Sequence, residues 1–320
     1  MGQTLGLLPG VPAVESPFFE GAEEELHLSA DELRIARDLH YQGFAVLDFP
    51  DSELDARIER IRRNLGPRFE AAGGPQSLST EWPGRIQDAW QHDLDVQAIA
   101  ANPTILALLT KLYGRRAFPF QTLNFPVGTQ QAFHTDIVHF SSLPERFMCG
   151  VWLAMEDVLP GSGALRYIAG SHRWPIMSNM MLGRRGWQSE PNSAQDPYQD
   201  AFEELITKHQ ASEEIFHARK GQVLIWTANL LHGGSPRTDP ALTRWSQVTH
   251  YYFDDCAYYT PALSDEPLGR LALRNITDAS TGLRVPNRYL GEEVAMPVPE
   301  QRPSRVPRPL RKLINAVRPK

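Results

Sequence analysis

Between residues 117 and 253 one texture recurs: short apolar runs of strand length, set apart by turns rich in Pro and Gly. AFPFQTLNF, FHTDIVHF, RFMCGVWLAMED, GALRYIAG, GQVLIWTA and RWSQVTHYYF are the runs. β-Branched and aromatic side chains suit a pleated, half-buried surface, and Gly and Pro serve the turns between them. Such a series suggests an all-β barrel or sandwich for this part of the chain. Residues 176–215 interrupt it. They are expected to form an insertion, part loop and part helix, of the kind often used as a lid or binding element.

The preceding residues read differently. Residues 1–27, rich in Pro, Gly and Glu, are expected to be a loosely ordered arm. Ser29 and Glu32 make a capping box, and the helix they open carries Leu33, Ile35, Ala36 and Leu39 to a stop at Gly43. FAVLDF (44–49) reads as a strand and DSELDARIERIRRNLG (51–66) as a second amphipathic helix. Asn102-Pro103 starts a third helix that ends at Gly114. The expected organisation is one domain over 28–260, with helices first and a β core after them. A Pro-rich extension, 261–320, follows. Its last twenty residues hold seven basic side chains and no acidic one, with Leu310, Leu313, Ile314 and Val317 at helical spacing. That tail reads as a solvated terminus, with contact to an anionic membrane or an acidic partner as the alternative.

A formal net charge of -6 argues against wholesale nucleic-acid binding, because polyphosphate repels an acidic surface. No apolar run is long enough to span a bilayer. The first residues have no basic stretch ahead of an apolar one, and Thr4, Leu5 and Gly6 do not complete a myristoylation signal after Gly2. Only two cysteines occur, Cys149 and Cys256, in strand-like runs and without a CxxC. A reducing cytoplasm is therefore the expected location, and a metal site must draw on His and carboxylate.

QQAFHTDIVHFSS (130–142) holds the first such pair. His134 and Asp136 have one residue between them, so in an extended chain both point to the same side. By itself an HxD is more often a strand-end histidine hydrogen-bonded to a neighbour than a metal site. A third ligand is offered by His232 in LIWTANLLHGGSPR. Two His and one carboxylate make a facial triad that leaves half of an octahedral ion open, as non-haem Fe(II) oxygenases require. Twelve residues on, Arg244 opens RWSQVTHYYF, where a planar guanidinium can clamp a carboxylate. A turn histidine and a surface ion-pair arginine are the plain alternatives, residue by residue. The joint arrangement speaks against them.

QTLNFPVGTQQAFHTD, GVWLAMED, GSGALRYIAGSHRWP and LLHGG resemble, in order and spacing, the phytanoyl-CoA dioxygenase family of Fe(II)/2-oxoglutarate-dependent oxygenases, over roughly residues 30–255. The resemblance implies a mainly β fold with flanking helices around a double-stranded β-helix, the jelly-roll or cupin-like core. It implies Fe(II) on His134, Asp136 and His232, with 2-oxoglutarate and dioxygen as cosubstrates and Arg244 holding the distal carboxylate of 2-oxoglutarate. Trp152 matches a tryptophan of the cosubstrate pocket, Gln121 and Asn124 match positions near it, and Arg85 matches a basic residue on an earlier segment. Gln121 and Asn124 are three apart, so both reach one face only if a bulge intervenes. Gly234 stands two residues after His232 and Ser235 three, so Ser235 is taken as the shifted counterpart of the family's hydroxyl.

The implied activity is hydroxylation of a small molecule coupled to decarboxylation of 2-oxoglutarate to succinate and CO2. Related halogenases lack the carboxylate ligand, which this chain keeps at Asp136. A zinc hydrolase using the same three ligands and a non-catalytic β-barrel binding module are the alternatives. His172 of the GSH turn is read as structural and His139 as no ligand. Met177, Met180, Met181 and Trp187 are read as packing under the insertion. Arg184 and Arg185 are either solvated or meet an anionic substrate. The substrate stays open among acyl-CoA, amino-acid derivative, sugar and natural product, and no oligomeric state is predicted.

Overall fold

The computed structural model describes residues 8–71, 84–186 and 196–296. Residues 8–27 are not the loosely ordered arm expected, because Val14 and Phe19 are fully buried in the main core; a short helix α1 (Phe19–Ala22) precedes Ser29, which opens helix α2 (Ala30–Gln42). Its hydroxyl accepts from the Glu32 amide while the Glu32 carboxylate accepts from the Ser29 amide, the reciprocal pair read in the sequence. Gly43 ends α2 and the chain turns into β1 (Phe44–Asp48). Helix α3 (Leu54–Ala71) runs on through Gly66 and Pro67, past its expected end. Phe69, in its last turn, is buried and meets the Trp245 ring edge-on at 5.6 Å. That apolar contact holds the extra turn although Pro67 removes one helical hydrogen bond. Helix α4 (Leu94–Ala100) was not anticipated. Asp93 caps it, accepting from the Asp95 and Val96 amides. Helix α5 (Pro103–Tyr113) starts at its Asn102 cap and stops before Gly114, as expected.

The strands are β2 (Ile86–Gln87), β3 (Ala117–Phe125), β4 (Ser141–Leu143), β5 (Met148–Ala154), β6 (Leu165–Tyr167), β7 (Glu214–Phe216), β8 (Gln222–Thr227), β9 (His232–Gly234), β10 (Ser246–Phe253) and β11 (Ala257–Tyr259). A six-stranded antiparallel sheet has the order β1-β8-β5-β10-β3-β2, a three-stranded sheet has the order β7-β6-β9, and β4 pairs with β11. Side chains alternate between the faces of the large sheet. Val151, Leu153, Val223 and Ile225 pack with α2, α3 and α5 in the main core. Trp152, Leu224, Trp226 and Val248 look the other way, toward Leu165 and Tyr167 of the small sheet. The described residues thus form a mixture of helix and antiparallel strand, not a mainly β chain, and their sheets do not close into a barrel. The long buried faces of α2, α3 and α5 account for the difference.

FHTDIVHF is not a strand. His134 makes a single bridge to His232, and Asp136–Val138 is a 3-10 turn. Helix α6 (Asp196–His209), from the expected insertion, packs Tyr198 and Phe202 on Val138, Ile168 and Leu231, behind the loops that carry the histidines. Met177 joins that cluster, whereas Met180 and Met181 are exposed at 67% and 52%, so of the three methionines the expected packing holds for Met177. Trp187 and the basic tail lie outside the described residues. No described helix is long and apolar enough to cross a membrane.

Candidate metal centre

β9 and the loop before the 3-10 turn lie side by side. The His134 amide donates to the His232 carbonyl and the His232 amide to the His134 carbonyl, each at 3.0 Å. The two glycines after His232 make this possible. A Cβ on Gly233 would stand 2.7 Å from the Gln131 carbonyl, and one on Gly234 would stand 2.8 Å from the Gln130 amide. Thr135 is the one extended residue between His134 and Asp136, and the turn that follows aims the carboxylate back at both imidazoles. His134, Asp136 and His232 are all buried, with ligand atoms within 4.8 Å of one another.

The ring tautomers suit a cation. His134 Nδ1 donates to the Ala132 carbonyl and His232 Nδ1 to the Leu230 carbonyl, both at 3.0 Å. With Nδ1 engaged, Nε2 is the ring nitrogen that each histidine turns to the site, and each Nε2 lies 3.9 Å from the Asp136 carboxylate. Two further residues, both missed in the sequence, hold that carboxylate. Trp226 Nε1 donates to Asp136 Oδ2 at 2.7 Å, and His250 Nε2 lies 3.5 Å from the same oxygen while its Nδ1 donates to Gln121 Oε1 at 3.0 Å. Burial alone would raise the Asp136 carboxyl. The imidazoles of His232, His250 and His134 outweigh it and keep the group ionised, well below the usual carboxylate range.

Trp226 fits because its cross-strand partner is Gly150. A Cβ at Gly150 would lie 2.2 Å from the indole ring. Gly150→Ala is therefore expected to push the indole off Asp136, destabilise the fold by about 1–3 kcal/mol, and weaken metal binding about tenfold or more. Denaturant unfolding and Fe(II) titration check this. Unchanged metal affinity would mean that Trp226 does not position the carboxylate.

His172, as expected, is structural. Its turn braces β9: Ser171 Oγ accepts from the Leu231 amide at 2.9 Å, and Asn229 donates to the His172 carbonyl at 3.1 Å. Burial pushes His172 down to about 4, and burial together with the neighbouring His232 pushes His134 down to about 3. In the unfolded chain histidines titrate near ~6.5, so below that pH the unfolded state binds more protons than the fold. Stability of the metal-free protein is expected to fall from pH 6.5 toward pH 4, by up to ~1.4 kcal/mol per pH unit for each histidine. Denaturation midpoints across that range test it. A flat profile would mean that the imidazoles are already charged in the fold.

The triad opens onto a cavity of about 620 Å³ that contains Trp152, Gln121, Arg85 and Arg244 on its wall. Arg244 is 2% exposed, its Nη1 donates to the Gly163 carbonyl at 2.9 Å, and its Nε is buried without a partner. Burial, and then the nearby Arg237, push its guanidinium down to about 10. Trp152 Nε1 is likewise buried and unpartnered, and the Arg244 guanidinium lies 5.5 Å from its ring centroid. Such orphaned donors fit an oxyanion ligand. Arg85 is exposed, at the rim.

Asn124 and Ser235 are corrections. β3 has its irregularity between Pro119 and Gln121, not between Gln121 and Asn124. Gln121, Leu123 and Phe125 therefore face the cavity, while Asn124 points to the opposite side and donates to Gln247 at 3.2 Å. Ser235 does not reach the wall. Its amide is used by the Ala164 carbonyl and its hydroxyl is buried without a partner. His139 lines the cavity but is not one of the clustered ligands. Arg184 and Arg185 line a separate, smaller groove.

The family model for phytanoyl-CoA dioxygenase matches residues 40–244, more than half of the chain and all four of the residues just described as triad and arginine. The chain belongs to the phytanoyl-CoA dioxygenase family. Comparison with curated proteins gives no significant match. Among solved structures, the epimerase SnoN from nogalamycin biosynthesis, in complex with Fe3+, alpha-ketoglutarate and nogalamycin RO, is similar with a TM-score of 0.55 at 18% identity, covering 83% of this chain and 96% of that one. EctD from S. alaskensis, with 2-oxoglutarate and 5-hydroxyectoine, gives 0.54 at 18% identity over 75% of this chain and 80% of that one. The carbocyclase SnoK gives 0.54 at 17% identity over 84% and 94%. These likenesses speak to the fold. The cofactors that go with this phytanoyl-CoA dioxygenase family site are Fe(II) and 2-oxoglutarate, and the two imidazoles with Nε2 turned to the site, the ionised Asp136 and the orphaned donors at Arg244 and Trp152 fit both.

Proposed function

We propose that this chain is a hydroxylase that oxidises a small-molecule substrate at the expense of 2-oxoglutarate. The observation that carries the reading is the sharing of one cavity by a buried His/Asp/His cluster and a buried arginine with a free donor. His134, Asp136 and His232 would hold Fe(II), and Arg244 would take the distal carboxylate of 2-oxoglutarate against Trp152 and Gln121. Arg85 would close the rim. Bound Fe(II) with 2-oxoglutarate and dioxygen supplies the oxidising chemistry, with succinate and CO2 as the cosubstrate's products. The protein's part is to orient and to keep water out, for which Leu123, Phe125 and Val248 make an apolar wall. Asp136 would supply the carboxylate ligand that related halogenases lack, which favours hydroxylation over halogenation. A zinc hydrolase has no need of a buried arginine beside the triad, and a non-catalytic binding module would be expected to have lost a ligand or the arginine.

The large sheet and the β7-β6-β9 sheet face each other across the cavity, which suits a double-stranded β-helix core within a single domain that extends past the expected 28–260, since Val14 and Phe19 before it and Ile276 after it join the main core. Cys149 and Cys256 are buried free thiols, which suits a reducing cytoplasm. The test is direct. The Fe(II) protein should bind 2-oxoglutarate without oxygen, form succinate once oxygen is admitted, and lose that activity with Zn(II) in place of iron. A substrate that turns over should gain one oxygen atom. Failure of the Fe(II) protein to bind 2-oxoglutarate would end the proposal.

A further inference from the structure

The cavity wall also draws on residues beyond the family match. After β11 the chain brings Thr260, Leu263 and Arg274 to the cavity, beside His139 and Phe140 from the turn that follows Asp136. The Arg274 guanidinium lies 4.8 Å from the Phe140 ring centroid. Its Nη1 donates to Thr260 Oγ1 at 3.2 Å and to the His139 carbonyl at 3.5 Å, both neutral acceptors. Its Nε is buried without a partner, and among the described residues no carboxylate pairs with it. A guanidinium has five donors, so several remain to be answered.

The charges on the wall point the same way. Among the described residues three arginines line the cavity, Arg85, Arg244 and Arg274, against one carboxylate, that of Asp136. The metal claims Asp136, and in the reading above 2-oxoglutarate answers Arg244. Among the described residues no anion answers Arg274. We infer that Arg274 anchors an oxyanion of the prime substrate, which makes that substrate a small organic acid, a carboxylate or a phosphate ester, whose apolar body lies against Phe140 and Leu263. A planar fork stacked on an aromatic ring, with a hydroxyl beside it, is suited to bidentate binding of such a group. This inference rests on the oxygenase reading, because it takes Arg244 as already occupied by the cosubstrate.

The test uses the anaerobic protein loaded with Fe(II) and saturating 2-oxoglutarate, so that Arg244 is occupied. Benzoate, phenyl phosphate, benzamide and benzylamine are titrated in by calorimetry. At least one of the two oxyanions should bind about tenfold or more tightly than benzamide, and benzylamine more weakly still. Arg274→Met should bring oxyanion binding down to the benzamide level, and Arg274→Lys should restore part of it. Affinity for 2-oxoglutarate should stay within about twofold in both variants, which also shows that they fold. The tighter oxyanion identifies the head group. Benzamide binding as well as both oxyanions, no oxyanion binding at millimolar concentration, or an oxyanion preference that survives Arg274→Met would each overturn the inference. Absence of 2-oxoglutarate binding in the Fe(II) wild type would instead strike at the oxygenase reading.

Discussion

Asp136→Ala is expected to abolish tight Fe(II) binding and to cut succinate formation more than about a hundredfold, beyond the 10–100-fold typical of losing a group that only supports a ligand. The carboxylate stands at the centre of the site, 3.9 Å from the Nε2 of both His134 and His232. It is also what Trp226 Nε1 donates to and what His250 faces. Truncation therefore removes a ligand, a negative charge and the acceptor for a buried indole, and leaving that indole unsatisfied costs about 1–3 kcal/mol on its own. Asp136→Asn separates these effects. The amide keeps an oxygen for Trp226 and nearly the same shape, so this variant should stay folded and still fail to hold iron. Iron per chain after dialysis and succinate by NMR are the measurements. Wild-type succinate formation in Asp136→Ala would remove Asp136 from the site.

His134, Asp136, His232 and Arg244 were legible because each sits in a short motif whose residue types have a chemical reason to occur together. The geometry between them was less legible. Reading FHTDIVHF as a strand placed His134 and Asp136 on one side for a reason that holds only at Thr135, after which the chain turns. Phe133 and Val138 of that run pack with α6 while Ile137 and Phe140 pack with the main core, and tertiary contact of this kind leaves no local period to read. Gln121 and Asn124 posed a parity question that strand pairing alone could answer, through the irregularity at Phe120 and regular register beyond it. His250 had a usable signal. It falls six residues after Arg244 and two after Val248, at the even spacing that puts all three on one face, and the cavity contains them all. Trp226 had none, since its role depends on Gly150 in a neighbouring strand. Arg274 lies past the last recognised motif, in a stretch read only as a Pro-rich extension.

Arg244→Met should separate binding from stability in opposite directions. Arg244 is buried at 2% exposure, bonded to one neutral carbonyl, and close enough to Arg237 that the two repel. A buried charge without a carboxylate partner is a cost to the ligand-free fold, and an apolar side chain of similar length in its place is often neutral or stabilising. The ligand-free variant is therefore expected to melt at the wild-type temperature or a few degrees above it, on the order of 1 kcal/mol. Its affinity for 2-oxoglutarate is expected to fall about a hundredfold or more, roughly 3 kcal/mol, because a paired carboxylate then loses its fork. Arg244→Lys keeps the charge without the fork and should lie between the two. The readout is one melting experiment run with and without cosubstrate. At a hundred times its Kd a ligand adds about 2.7 kcal/mol of stability, so wild type should gain several degrees from 2-oxoglutarate and Arg244→Met almost none. A variant that melts far below wild type yet still gains those degrees would make the arginine a structural brace, and the cosubstrate would have to be held elsewhere on the wall.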